Sequence, residues 1–349
     1  MRPCANASFT LLELLVAAAL TAMLSALVLT VVTSALGHWD RAAGRLGASA
    51  QAHLALDLLE QDLQGAVFRT DGSVCLAATV LPDTTLSGVW KLAAAAGHAK
   101  PGNGHSCTLR LGAPAIEDAR FGVAGVWLRF LTVKPDTGAS ATDLPAPVAV
   151  GYQLIRQNVT SSAASEQRYL LFRAEVRRTK TSSGAAGTFE AGYNLDPAAS
   201  LATPYQAPSG TTGDPGNLLR PPLGSVLADN VIDFGVRLYV HEQGRRRLVF
   251  PAALDGTPSG ALPPSGETEH LVRAGADDGG DRHGHAFPEV VEVMIRVLDG
   301  EGARLIAAFE AGRLNPPVGM DDGDYWWTLA EAHSEVFTQQ IVIAARPFP

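Results

Sequence analysis

The residue best placed to do chemistry is Glu13 in "FTLLELLVAAAL" (residues 9–20), a lone carboxylate inside an otherwise apolar run. A carboxylate in hydrocarbon is costly, and where one persists it usually pairs with a cation or marks a site that works at the membrane. A second constellation, "DRHGHAFPE", offers His283, His285 and Glu289. His-x-His on a strand projects both imidazoles to one face, as a zinc ion needs. The segment follows "GADDGG" and precedes a proline, so solvated loop histidines are the plainer reading and no metal ligand is assigned. Two acidic clusters, "DDGD" (321–324) and "ADDGGD" (276–281), combine carboxylates with a glycine turn of the kind that suits calcium. Neither has the D-x-D/N-x-D/N-G spacing, and Asp and Gly are also ordinary turn residues. No G-x-S-x-G, G-x-x-x-x-G-K-S/T, H-E-x-x-H or G-x-G-x-x-G occurs. The usual hydrolase, P-loop, zincin and dinucleotide signals are therefore missing, and no catalytic or cofactor-binding residue is assigned.

The three cysteines are Cys4, Cys75 and Cys107, with no C-x-x-C pair. In an oxidising compartment Cys75 and Cys107 could close a loop of about 30 residues, contributing roughly 3 kcal/mol on the chain-entropy model. Two separate buried thiols are the alternative. With 27 basic and 35 acidic residues the formal charge is −8, which argues against a nucleic-acid-binding surface. At 349 residues, 46% hydrophobic and 18% charged, the composition is globular and long enough for a sizeable core.

The element that positions Glu13 is an apolar helix. From Leu14 to Leu36 no charge occurs, and 23 helical residues measure about 34 Å, enough to cross a bilayer. Arg2 precedes the run and His38, Trp39, Asp40 and Arg41 follow it, so the short positive leader stays cytoplasmic and the bulk of the chain faces the far side. A secretory signal peptide has a shorter apolar core with a cleavage site after it; Ala35 and Gly37 could mimic one. A plain single-pass anchor accounts for the length but not for Glu13.

A third reading uses every residue. Ser8-Phe9-Thr10-Leu11-Leu12-Glu13 resembles the processing site of type IV pilins and of the pseudopilins of type II secretion. In that family a prepilin peptidase cuts before a Phe, methylates the new amino group and leaves a Glu four residues on. The resemblance implies cleavage between Ser8 and Phe9, N-methylation of Phe9, and an assembly role for Glu13, whose charge pairs with the amino terminus of an adjacent subunit. Most members have Gly before the cut, where this chain has Ser8. The implied partners are the prepilin peptidase, other major and minor pilins or pseudopilins, and an inner-membrane assembly platform. The implied function is structural rather than enzymatic. No cofactor is expected, although some pseudopilins hold calcium.

Beyond the span, Leu56, Leu59, Leu63 and Val67 mark one apolar helical face and Leu46, Ala50, Leu54 and Leu58 an adjacent stripe. Asp57, Glu60, Gln61, Asp62 and Gln64 make up the polar side. The helix is expected from Phe9 to about Ala66, with Gly37, Gly44 and Gly47 weakening it where the span ends. "LALDLLEQDLQGAVF" (54–68) resembles the stem of J-type minor pseudopilins and W-type minor pilins. "VLADNVIDFGVRLYV" and "PEVVEVMIRVLDGEGARL" look like later segments of the same subgroup, and a long member of a Verru_Chthon-type pilin-like cassette is similar too.

After residue 68 the period becomes two, with strands at 168–176, 232–240 and 289–298 and further candidates near 107–112, 125–134, 147–156, 303–310 and 336–344. "DYWWTLAEAHSEV" (324–336) suggests a late helix. Residues 181–225 and 251–288 are rich in turn formers and read as loop insertions. The expected fold class is α+β: a long N-terminal helix packed on antiparallel β-sheets, pilin-like. Its parts are a leader (1–8), a transmembrane half (9–36), a stem half (37–68) and a periplasmic β-rich domain (69–349).

Overall fold

A computed structural model describes residues 10–69, 74–80, 110–123, 125–133, 147–158, 167–176, 195, 218, 221, 223–242, 244–251, 269–273, 285–344 and 346–348. The chain divides into two units, Met1–Gly47 and Ala48–Pro349. The helix α1 (Leu11–Gln64) begins in the first and ends in the second, and it runs uninterrupted past Gly37, Gly44 and Gly47.

In the first unit the stretch Leu11–Gly37 has a mean hydropathy of 2.5 and is long and apolar enough to cross a membrane. Its Leu, Val and Met side chains are exposed. The hydroxyls within it are satisfied along the helix: Thr21 donates to the Ala17 carbonyl, Thr30 to Ala26 at 2.8 Å and Thr33 to Leu29 at 2.9 Å. Such back-bonding lets a hydroxyl sit in hydrocarbon without an unsatisfied group.

The second unit starts with the stem end of α1. There follow β1 (Val67–Arg69), β2 (Val74–Val80), β3 (Val126–Thr132), β4 (Val148–Asn158) and β5 (Gln167–Val176). Next come β6 (Val226–Asp229), β7 (Val231–Glu242), β8 (Arg245–Phe250), β9 (Glu269–Arg273) and β10 (Val290–Leu298). The chain ends with α2 (Gly300–Glu310), α3 (Asp322–Ala332), β11 (Ser334–Val342) and β12 (Arg346–Phe348). Two antiparallel sheets result, in the orders β6-β5-β4-β3-β2-β9 and β11-β10-β7-β8, and a short parallel pair joins β1 to β12. The fold is α+β, as expected. One apolar cluster fills the unit, with Ala52, Ala55, Leu56, Leu59 and Leu63 of the stem inside it.

Several expectations are corrected. Residues 303–310 are helical, not a strand. Gly302, Ile306 and Phe309 share the buried face at helical spacing, and the Asp299 carboxylate caps the first turn by accepting from the Gly302 amide at 2.7 Å. Gly302 is required there, because a Cβ would lie 2.5 Å from that of His333. Near 107–112 the described residues carry only an isolated bridge, Arg110 to Arg120. The second stem stripe is only partly covered within this unit: Leu54 is 53% exposed and Leu58 half-buried. Asp62, assigned to the polar side, is buried. The late helix expected within 324–336 is present as α3, with Trp326 and Trp327 buried on it.

β7 and β10 bury both faces rather than one. On β7 the side opposite Phe234, Val236 and Leu238 carries buried Asp233 and Arg237, and on β10 it carries buried Arg296. These charges hold the segment 111–121 across the sheet. Arg237 donates to the Ala113 carbonyl at 2.5 Å, Arg296 to Glu117 at 3.1 Å, and Asp233 accepts from the Phe121 amide at 3.1 Å. Phe121 itself lies over Gly235, where any Cβ would overlap its ring.

Candidate functional site

Glu13 sits in the first turn of α1, and the local sequence Thr10-Leu11-Leu12-Glu13 builds its surroundings. The Glu13 Oε2 accepts from the Thr10 amide at 2.9 Å and from the Thr10 hydroxyl at 3.0 Å. The Glu13 amide donates back to Thr10 Oγ1 at 3.3 Å. This reciprocal pattern is a capping box, which satisfies two of the orphan amides at the start of a helix and favours a carboxylate at its positive end. The S/T-x-x-E signature was legible in the sequence and offers a local role for Glu13 beside the intersubunit one. Ser8 and Phe9, the two sides of the expected cleavage, lie outside the described residues.

A second constellation, missed by sequence reasoning, joins the stem to the six-stranded sheet. Arg173 of β5 donates from Nε to Asp62 Oδ2 at 2.7 Å and from Nη2 to Oδ1 at 3.0 Å, a bidentate pair. Tyr152 of β4 donates its hydroxyl to Asp62 Oδ2 at 2.6 Å. Tyr152 and Arg173 are cross-strand neighbours, so the sheet register places phenol and guanidinium side by side under the helix. Thr132 of β3 adds a bond to the Asp62 carbonyl at 2.7 Å. Burial, followed by the Asp62 charge, pushes the Tyr152 phenol well above its ordinary value. Burial opposes the Arg173 charge, but its hydrogen bonds to Asp62 and that residue's charge raise its pKa overall. The signal available in the sequence was one carboxylate beside Leu63 on an apolar face.

A third cluster gathers at Glu310, the last residue of α2. Its carboxylate accepts from Arg156 at 2.5 Å, from the Trp326 indole at 3.0 Å and from the Tyr169 hydroxyl. Arg156 and Tyr169 anchor α2 to β4 and β5, and Trp326 joins it to α3. The remaining sequence candidates are placed separately. His285 Nδ1 bonds the Leu271 carbonyl at 2.6 Å, while Glu289 bonds His241 at 2.7 Å. His283 lies outside the described residues, and no group of three metal-ligating side chains occurs among those described. Asp321 caps α3 by accepting from the Gly323 amide at 2.8 Å, while 276–281 lies outside the described residues. Cys75 is buried on β2 with its Sγ 3.5 Å from the Val272 carbonyl oxygen; Cys107 lies outside the described residues.

Fold and site together define an α+β protein with one N-terminal helix of membrane-spanning length and composition. No family model, curated protein or solved structure matches the chain.

Proposed function

We propose that the protein is a minor pilin or pseudopilin, a structural subunit of a type II secretion pseudopilus or a type IV pilus-like filament, placed at or near the tip. The observation that carries this reading is the carboxylate of Glu13 at the entrance to an exposed apolar helix, four residues beyond Phe9. On this reading a prepilin peptidase removes residues 1–8 and methylates Phe9. The span from Leu11 holds the subunit in the inner membrane with the β-rich domain in the periplasm. Glu13 pairs with the amino terminus of a neighbouring pilin as the assembly platform adds the subunit. Its role is structural, with no enzymatic activity and no cofactor.

The test is the mature N-terminus after co-expression with a prepilin peptidase. N-methylated Phe9 is the expected result, and the mature chain carries 26 basic and 35 acidic residues after loss of Arg2, a formal −9. Cleavage after Ala35 or Gly37 would falsify the assignment.

The Thr10–Glu13 capping box favours a second reading, because it gives the carboxylate a partner within its own chain. The protein would then be a membrane-anchored periplasmic binding protein or hydrolase with a pilin-like anchor. An uncleaved leader in the presence of active peptidase would support it.

A further inference from the structure

We propose that the outer edge of β8 is a docking strand for an extended acidic segment of another protein. β8 closes one side of the four-stranded sheet, and among the described residues no strand pairs with its second edge. An unpaired edge presents a row of backbone donors and acceptors that an incoming strand can complete. The strand opens with Arg245, Arg246 and Arg247, all exposed, in a chain whose formal charge is −8.

One neighbouring acid, Glu242, lies opposite Arg245 in the strand register and answers this run of three positive charges only in part. Arg247 reaches Glu242 at 3.2 Å across the hairpin. Glu289, which faces the same end of the sheet, is engaged by His241 at 2.7 Å. Arg245 and Arg246 have no ion pair among the described residues. Alternation along a strand puts Arg245 and Arg247 on one face and Arg246 on the other. A partner strand with carboxylates two residues apart therefore meets the guanidinium pair while its backbone completes the edge. Bidentate guanidinium–carboxylate contacts supply the register. Gly244 (φ +77°) lets the hairpin turn tightly before this edge begins.

Arginines on an edge also discourage pairing with another strand, so the experiment has to separate attraction from repulsion. The full chain in detergent micelles is titrated with a labelled synthetic peptide alternating Glu and Val, with its counterpart in which every Glu is Lys, and with a backbone N-methylated Glu/Val peptide. Binding of the first peptide alone, weakened at least about tenfold by Arg245→Glu with Arg247→Glu, is the expected result. Three outcomes overturn the proposal. The Glu/Val peptide fails to bind the wild-type chain, which leaves the arginines as a guard against pairing. The N-methylated or Lys peptide binds equally well, which removes strand addition or charge reading. Vesicles of phosphatidylglycerol bind the arginine edge and displace the peptide, which makes the patch a lipid headgroup site. The substitutions are on exposed side chains, and an unchanged thermal transition confirms that the variant is folded.

Discussion

Replacing Asp62 by Ala removes the acceptor of a bidentate guanidinium and of a phenol at once. The Arg173 side chain is only 15% exposed, so its charge cannot simply be handed back to water. Breaking a buried pair from one side costs about 3–5 kcal/mol, because it strands the other charge. Glu175 lies 3.1 Å from Arg173 and offsets part of the loss, which puts the expected value near the lower end, about 3 kcal/mol. Against a total stability of about 5–15 kcal/mol this is a large fraction. Thermal unfolding of the full chain in detergent should show a fall of roughly 5 °C or more. The companion variant combines Asp62→Leu, Tyr152→Phe and Arg173→Met. It replaces the network by apolar groups of similar volume, a change that is often neutral or stabilising. It should recover most of the lost transition temperature. If Asp62→Ala shifts the transition by less than about 1 °C, the carboxylate is not carrying the buried charge. If the triple variant is no better than Asp62→Ala, the penalty comes from packing and the electrostatic reasoning is wrong.

Three further outcomes follow from other features. The raised Tyr152 pKa means that the folded state keeps its proton where the unfolded state releases it, so its contribution is complete below pH of about 10 and lost as pH rises through the higher folded value; alkaline unfolding should therefore lose this slope in Tyr152→Phe but not in a Tyr325→Phe control. Gly235→Ala should destabilise by about 1–3 kcal/mol, read by denaturant midpoint, since the new methyl collides with the Phe121 ring held by Asp233. Glu13→Ala should leave membrane insertion and leader cleavage intact while reducing crosslinking to partner pilins; crosslinking equal to that of wild type and of an Arg41→Ala control would reduce Glu13 to a recognition mark for the peptidase.

Periodicity alone carried much of the fold into view. The Leu56, Leu59 and Leu63 face, the strands at β3, β4, β5, β7, β10 and β11, and the helix around Trp326 each follow from local alternation between apolar and polar groups. That signal needs only near neighbours in the chain, as does the Thr10–Glu13 capping box. The misreadings share a different cause. Residues 303–310 are apolar enough for either state, and the choice fell to a cap at Asp299 and to Gly302 fitting against His333, 31 residues on. Leu54 belongs to an apolar stripe but remains exposed because the sheets cover the Leu56 and Leu59 side.

The sequence by itself determined a membrane-length apolar helix with one carboxylate at its entrance, since length, hydropathy and the position of Glu13 are properties of contiguous residues. Only the tertiary structure decided what Asp62 does. Tyr152 and Arg173 lie 90 and 111 residues from it, and strand pairing between β4 and β5 brings them beneath one helical position. A charge on a helix reads as solvated until its partners are known, because its burial depends on groups that no local pattern contains.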